Sequence, residues 1–284
     1  MQPVAGEHRV GSVNLRMERI LVGVDGSAVS GRAQVWAARL ALQLPARLVL
    51  ATVWTDPVGI PDAERHAQAE RRRTLLEGEW SDVTRHLGVP FETELLRGDS
   101  PDALLDAAES IDAALIVIGT RGSGGFPGLR LGSFADWIAH RTTRPLAVIP
   151  EPARPEEIRR ILLGLAGGEG DIWAVGFCYQ LAMKVGAEVV AAHAAAASSA
   201  EAETLLEEVW TAPLRDANVT VRCRLLEDRH PGEALIGLAD DEAADLILIG
   251  TRSLTGWRLL RLGGVTMQLV HASDRPVLVV PPLP

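Results

Sequence analysis

Short apolar runs alternate with longer amphipathic segments along the whole chain. Residues 20–24 and 115–118 are continuous apolar runs, the pattern of parallel strands that are buried on both faces. Residues 30–43 carry an Ala- and Leu-rich pattern with a helical period. This alternation predicts an α/β fold in which helices cover both faces of a parallel sheet. The elements predicted for the first half are strand 20–24, helix 30–43, strand 47–54, helix 64–86, strand 91–96, helix 101–110, strand 115–118, helix 133–141 and strand 146–149.

The second half of the chain repeats the first. The sequence ILVGV at residues 20–24 returns as ILLGL at 161–165, and LIVIGTR at 115–121 returns as LILIGTR at 246–252. The offset between the copies falls from 141 to 131 residues, so the second copy is ten residues shorter. Repeats that keep their order in this way predict two copies of one structural unit.

We therefore predict two tandem, doubly wound parallel sheets of five strands each. The expected domain organisation is an N-terminal extension at 1–18, a first domain at 19–150, a linker at 151–159 and a second domain at 160–284. Pro152 and Pro155 favour a linker in the third of these segments, because proline interrupts regular secondary structure.

Composition narrows the classes of function. Hydrophobic residues make up 47% and charged residues 23%, which predicts a folded chain. The net charge of −9 disfavours nucleic acid as a partner, because an acidic surface repels phosphates. Lys184 is the one lysine, so a lysine-dependent phosphate loop or Schiff base is excluded at every other position.

Cysteine usage and hydropathy favour a cytoplasmic protein without a membrane partner. Cys178 and Cys223 have neither CxxC nor metal-ligand spacing, so a disulfide framework and a metal site are not expected. Residues 1–18 lack the apolar core of a secretory signal. No stretch approaches the roughly 20 apolar residues that span a bilayer.

The segment after residues 115–118 carries the strongest candidate chemistry. Gly119 and Gly122 follow that strand, and after nine further residues Gly132 and Ser133 open a helix. Glycines allow a backbone to approach a ligand closely, and a helix N-terminus presents unpaired N–H groups to a phosphate. The same Gly-Ser pair could also be an ordinary helix N-cap. The charged run 64–73 is interpreted as the solvated face of a helix.

The spacing G-x2-G-x9-G-S after an apolar strand resembles the ATP-binding signature of universal stress proteins. The opening ILVGVDGS at 20–27 and the segment RGDSP at 97–101 are also similar to that family. The resemblance covers nearly all of residues 19–150 and, more loosely, residues 160–281. It implies a tandem universal stress protein with a Rossmann-like fold that binds ATP.

The resemblance also implies roles for individual residues. Asp25 would accept hydrogen bonds from the ribose, although an aspartate there could also act only in the turn. Val53 would present its backbone to adenine, and Arg121 would either approach a phosphate or remain solvated. The ligand-binding residues implied are Val24, Asp25, Val53, Gly119, Arg121, Gly122, Gly132, Ser133 and Phe134. ATP, with or without Mg²⁺, is the expected ligand.

The second copy departs from this signature. Ala166 stands at the position of Asp25, Ser253 at that of Gly122, and Gly264 at that of Ser133. Losing two hydrogen bonds would weaken binding by roughly 10² to 10⁴. One ATP site per chain is therefore predicted, in the first copy. Glycines that remain at 167, 168 and 170 leave a weaker or altered second site open.

The sequence thus favours an ATP-binding regulatory protein of the stress response, in which binding orders residues 119–132 and changes a surface that a partner protein recognises. The alternatives are a slow ATP hydrolase or phosphotransferase using the same site, and a scaffold that binds no nucleotide. No catalytic residue is predicted, because no obvious general base lies near the expected phosphates. By resemblance to the family's dimers, the two copies should pack as a pseudo-two-fold dimer with strands 146–149 and 277–280 paired, and a further homodimer is left open.

Overall fold

A computed structural model describes residues 17–122, 131–152, 157–168, 170–195, 200–228, 230–251 and 263–282 of the 284-residue chain. The first repeat contains β1 (Arg19–Gly23), α1 (Ala28–Gln43), β2 (Arg47–Trp54), α2 (Asp62–Glu77), a 3₁₀ turn (Glu79–Ser81), α3 (Asp82–His86), β3 (Phe91–Arg97), α4 (Ser100–Ser110), β4 (Leu115–Gly119), α5 (Ser133–Arg141) and β5 (Leu146–Ile149).

The second repeat follows the same order. It contains β6 (Arg160–Leu165), α6 (Asp171–Val185), β7 (Glu188–Ala195), α7 (Ala200–Thr204), a π-helical turn (Leu205–Trp210), α8 (Ala212–Asp216), β8 (Val221–Glu227), α9 (Pro231–Asp241), β9 (Leu246–Gly250), α10 (Gly264–Ala272) and β10 (Val277–Val280). None of the helices in the part of the chain that the structure describes has the length and apolar character needed to cross a bilayer.

The strands of both repeats join in one sheet, ordered β3-β2-β1-β4-β5-β10-β9-β6-β7-β8. Within each repeat neighbouring strands are parallel, and the two repeats meet where β5 pairs antiparallel with β10. Val277 lies opposite Val148 at this junction, and Leu278 lies opposite Ala147. The α/β fold with two doubly wound repeats is confirmed, and the final strands pair as expected.

Helices cover both faces of the sheet because the strands are apolar on both faces. Ile20 and Leu21 are consecutive in β1, project to opposite faces and are both fully buried. Ile20 belongs to a core that also holds Trp36 of α1, whereas Leu21 belongs to a core with Leu104 of α4 and Ile138 of α5. Full burial of each large apolar side chain stabilises the fold by about 1.5–3 kcal/mol.

The predicted single helix over residues 64–86 is wrong. Helix α2 ends at Glu77, where the Gly78 N–H still donates to the carbonyl oxygen of Thr74. Gly78 then leaves the helical region, with φ −102° and ψ −109°, and the chain continues through a 3₁₀ turn into α3. The turn carries Trp80 back towards the end of β1, so the break helps to build the site described below.

The segment predicted as a linker contributes to the core at its C-terminal end. Ile158 is only 2% exposed and packs in the same core as Ile161 of β6. The backbone N–H groups of Arg159 and Arg160 both donate to Oδ2 of Asp245, at 2.9 and 2.8 Å. These contacts anchor the chain before the second repeat's first strand begins.

Candidate functional site

A cavity of about 300 Å³ lies at the carboxyl ends of the first repeat's strands. It opens between β1 and β4, where the chain order of the strands reverses, and such a switch point is where open α/β sheets bind ligands. All of the predicted ligand-binding residues line it: Val24, Asp25, Val53, Gly119, Arg121, Gly122, Gly132, Ser133 and Phe134. Residues from four separate segments of the chain are thus brought together.

The turn after β1 fixes the position of Asp25. Oδ1 of Asp25 accepts the Ser27 N–H at 3.0 Å, and Oγ of Ser27 caps α1 by accepting the Ser30 N–H at 3.1 Å. Gly26, between them, has φ +79°, and a Cβ there would lie 2.5 Å from the indole of Trp80. Glycine is therefore required at 26 by both backbone conformation and packing.

The loop after β4 passes directly over the Asp25 carboxylate. A Cβ built on Gly122 would lie 2.5 Å from Oδ2 of Asp25, closer than any non-bonded carbon and oxygen can approach. Gly119 serves packing in the same way, because a Cβ there would meet Cγ1 of Val29 at 2.7 Å. The two glycines therefore let helix α1 and the loop after β4 close around the end of β1.

Helix α5 begins at the edge of the cavity. Its N-cap is Gly132, which makes no side-chain cap hydrogen bond, and Ser133 is its exposed first residue. The Gly-Ser pair thus does form the helix N-cap, with Gly132 at the cap and the Ser133 hydroxyl left outside the cap position. The Gly132 N–H donates to the carbonyl oxygen of Thr120 at 2.7 Å, which ties the helix start to the end of β4.

Val53 of β2 and Phe134 of α5 are half-buried and both line the cavity. The last pairing of β1 with β2 joins Gly23 to Ala51, and the Val24 N–H donates to the carbonyl oxygen of Ala51 at 2.8 Å. Val53 lies two residues beyond Ala51 along β2. Its backbone edge towards β1 therefore lies outside the strand pairing of the sheet.

Arg121 is half-buried, and its guanidinium forms an ion pair with the Glu151 carboxylate. The backbone carbonyl oxygen of Glu151 accepts a hydrogen bond from Arg32 of α1. Both sequence-based alternatives for Arg121, approach to a phosphate or solvation, stay predictions, and the ion pair with Glu151 adds a contact that neither included. The Arg121 side chain therefore lines the cavity and is also held by Glu151, which follows Pro150 at the end of the first repeat.

Arg72 is a cavity residue that the sequence interpretation missed. It was assigned to a solvated helix face, yet it lines the cavity, and its Nε donates to Oγ1 of buried Thr52 at 3.1 Å. Its guanidinium also lies 5.5 Å from the centre of the Trp80 ring, within cation–π range. The helical period of α2 does indicate this position, because Arg72 lies three residues after Ala69 and four before Leu76, the buried positions of that helix. Arg72 therefore falls on the helix face that packs against the sheet.

The second repeat has a corresponding cavity, of about 470 Å³, at the ends of β6 and β9. Asp171, the first residue of α6, dominates its polar lining. Its Oδ2 accepts the N–H groups of Ala166, Gly167 and Gly168 at 2.9, 2.7 and 3.2 Å. By the 141-residue offset Asp171 stands where the first repeat has Ser30, so the sequence comparison at Ala166 alone missed this carboxylate.

Burial raises the pKa of the Asp171 carboxyl above its ordinary value of 3.8. The backbone donors from Gly167, Gly168 and Ala166 act in the opposite direction, as does the nearby His193. Desolvation is the larger effect. Nδ1 of His193 lies 2.9 Å from the carbonyl oxygen of Leu165, which can only accept, so Nδ1 carries the ring's proton.

No group of three or more His, Cys, Asp or Glu side chains is arranged to hold a metal ion within the described ranges. Both cysteines are free, with Cys178 fully buried and Cys223 half-buried. Most of the predicted loop 119–132 lies outside the described residues, as does Ser253. The expectations that concern them therefore stay predictions.

A sequence model of the universal stress protein family matches residues 17–150 and again residues 157–281. The chain therefore belongs to the universal stress protein family, as its motifs predicted. It is similar to a universal stress protein of Mycobacterium tuberculosis, 27% identical over 303 residues that cover 92% of this chain and 94% of the relative. It is also similar to one of Mycolicibacterium smegmatis, 28% identical over 289 residues that cover 93% and 97%.

Solved structures share the complete two-repeat fold. A universal stress protein from Archaeoglobus fulgidus matches with a TM-score of 0.76 at 18% identity, covering 94% of this chain and 98% of that one. A putative universal stress protein from Pseudomonas aeruginosa matches with a TM-score of 0.65, also at 18% identity, covering 94% of each chain. Both repeats fall within these matches.

Proposed function

We propose that this protein binds ATP in the cavity of its first repeat and acts as a non-catalytic regulator in the stress response. The observation that carries the proposal is the convergence of the signature residues on one cavity at the switch point of the sheet. These residues were selected from the sequence motifs and their resemblance to the family, and they come from segments far apart along the chain.

The roles follow from where each residue lies. Asp25 offers its carboxylate to the ribose hydroxyls, and Val53 offers the unpaired edge of its backbone to adenine. Gly122, Gly132 and Ser133 surround the phosphates, where the N-terminus of α5 adds backbone N–H groups and the positive end of its dipole. Any Mg²⁺ would enter with the phosphates, since the proposal assigns it no protein ligand.

Two arginines give the cavity the cationic character that a triphosphate needs. Arg72 is held by Thr52 and Trp80 at the end of β2, and Arg121 lies beside the phosphate-binding loop. Arg121 exchanges part of its pairing with Glu151 for a phosphate when ATP is bound. Glu151 lies just after Pro150 and the strand β5, which pairs with β10 at the junction between the repeats. The exchange therefore couples ligand binding to that junction.

Binding without catalysis is favoured over ATP hydrolysis or phosphotransfer. Hydrolysis needs a positioned water and a general base, and among the described lining residues Asp25 is the one acidic or histidine side chain. Asp25 is assigned to the ribose. A single-turnover experiment separates the alternatives: bound ATP is expected to remain intact for hours, and its conversion to ADP with a defined rate constant would favour the enzyme.

The proposal is tested by titration calorimetry with ATP. Asp25→Ala and Ser133→Ala are each expected to weaken binding by about 5- to 150-fold, equivalent to about 1–3 kcal/mol. Asp106→Ala, an exposed position on α4, is the matched control and should bind like the parent. Parental affinity in both site variants would show that the nucleotide is bound elsewhere.

A regulatory protein that is controlled by ATP must have access to the cellular nucleotide pool. We therefore retain a cytoplasmic location, an unidentified protein partner and a further homodimer as parts of the proposal. Mass spectrometry of small molecules released from the purified protein tests its first step directly. ATP in that extract supports the proposal, and an extract without adenine nucleotide favours a scaffold that binds none.

A further inference from the structure

The cavity of the second repeat has the position of an ATP site but different chemistry. It lies at the switch point between β6 and β9 and is larger than the first cavity, about 470 Å³ against about 300 Å³. Its walls include the apolar side chains of Leu165, Leu235, Ile249 and Val265. This volume and lining are typical of a site for a small organic ligand.

The turn in the second cavity that could bind a phosphate is already occupied by a carboxylate. The first cavity is lined by Arg72 and Arg121, whereas the described lining of the second contains no arginine or lysine, and Arg252, which aligns with Arg121, lies outside the described residues. Its ionisable groups are Asp171 and His193. The N–H groups of residues 166–168, which would form an anion-binding turn, already donate to the Asp171 carboxylate. An internal carboxylate therefore occupies the place of an external anion.

A second and independent observation points to a ligand. Thr251 lines the cavity and is only 3% exposed, yet its Oγ1 has no hydrogen-bond partner within the described part of the chain. A buried hydroxyl without a partner is rare in folded proteins and unfavourable. A ligand hydroxyl or ring nitrogen in the cavity would supply the missing partner.

We propose that the cavity of the second repeat binds an uncharged ligand of nucleoside size and discriminates against phosphorylated ligands. The apolar walls accept a planar heterocycle, Thr251 pairs with a polar group of the ligand, and Asp171 accepts from a ligand donor. The choice of a nucleoside as the probe rests on the proposed nucleotide function of the first repeat. The selectivity against phosphate rests on the second cavity's own residues.

The test uses the full chain with the first site weakened by the double change Asp25→Ala/Ser133→Ala. Adenosine and ATP are titrated separately into this variant, with Thr251→Val and Asp171→Asn added one at a time. Adenosine is expected to bind at least about tenfold more tightly than ATP, and Thr251→Val should weaken adenosine binding about 5-fold or more. Asp171→Asn should reduce the preference for adenosine by allowing ATP to bind more tightly.

Thr251→Val keeps the shape of the side chain and removes an unpaired hydroxyl, so the melting temperature should stay level or rise. Its effect on adenosine can then be assigned to the lost contact. Where the double variant binds ATP more weakly than the parent, remaining ATP binding equal to or tighter than adenosine binding would overturn the inference, and so would undetectable adenosine binding or an unchanged adenosine affinity in Thr251→Val. Failure of the first-repeat proposal appears separately, as parental ATP affinity in Asp25→Ala/Ser133→Ala.

Discussion

Gly122 and Asp25 lie so close together that a Cβ on Gly122 would stand 2.5 Å from Oδ2 of the carboxylate. The two residues are 97 positions apart in the chain and meet because β1 and β4 are neighbours in the sheet. The second repeat replaces both, with Ala166 at the position of Asp25 and Ser253 at that of Gly122. The copy that has a side chain at the position of Gly122 therefore lacks an aspartate at the position of Asp25.

Gly122→Ser should displace either the loop or the Asp25 carboxylate, and so weaken ATP binding by about tenfold or more, or about 1.4 kcal/mol. Titration calorimetry measures the change. Gly122→Ser and Asp25→Ala both disrupt the same contact. In an Asp25→Ala background, Gly122→Ser should therefore weaken ATP binding little further, which a double-mutant cycle detects as non-additivity. Additive losses would mean that the two residues contribute to binding independently.

Gly26→Ala should lower the free energy of unfolding by about 2–4 kcal/mol, because alanine opposes the positive φ and its Cβ collides with Trp80. Urea denaturation gives the value. Gly59→Ala is the matched control, since Gly59 also has positive φ, +86°, but a Cβ there meets nothing within 4 Å. The loss of unfolding free energy should be clearly smaller for Gly59→Ala than for Gly26→Ala. Equal losses would show that the collision with Trp80 does not affect stability.

Glu151→Gln should raise ATP affinity, because it removes the carboxylate that competes with phosphate for Arg121. The pair is partly exposed, so the gain should be small, about 2- to 5-fold, and should shrink as salt is added. Glu92→Gln, which disrupts an exposed pair with Arg47 far from the cavity lining, is the control. Weaker binding in Glu151→Gln would instead assign Glu151 the role of holding Arg121 in place.

The raised pKa of Asp171 makes a prediction about stability and pH. The folded state favours the protonated carboxyl relative to the unfolded state, so stability from this group is present below 3.8 and is lost as the pH rises through the folded-state pKa. The unfolding free energy of the parent minus that of Asp171→Asn should therefore fall as the pH rises from below 3.8 through the folded-state pKa.

Chemical denaturation at each pH gives that difference, and repeating the series with His193→Gln removes the electrostatic effect of the neighbouring ring on Asp171. A constant or rising difference would mean that the backbone donors of residues 166–168 outweigh desolvation. The sign of the slope thus reports which of the two effects controls the carboxyl group in the second cavity.

Much of the fold could be predicted because its causes are local. The strand from Leu146 to Ile149 and the helix from Ser133 to Arg141 have the bounds that the sequence indicated, since a continuous apolar run and an amphipathic period directly reflect burial. The convergence of Asp25 with Gly122 and Ser133 was also predictable. Parallel strands place their carboxyl ends at one edge, so motifs that follow different strands meet there.

The features that the sequence did not predict depend on packing between distant segments. Arg72 lies in the cavity because it donates a hydrogen bond to Thr52 and stacks on the Trp80 ring. Trp80 reaches that place because the helix ends at Gly78. Asp171 is a cavity residue because its carboxylate accepts hydrogen bonds from the turn after β6, and the sequence motifs do not indicate those contacts. Each such pairing is one of several that the local sequence would allow.

The number of ATP molecules bound per chain tests the central claim most directly. Equilibrium dialysis with labelled ATP, at concentrations well above the dissociation constant of the parent, gives that number for the parent and for Asp25→Ala/Ser133→Ala. Our account predicts one ATP per parent chain and a loss of that site in the double variant. Two equivalent ATP molecules per chain, none in the parent, or one that persists in the double variant would contradict it.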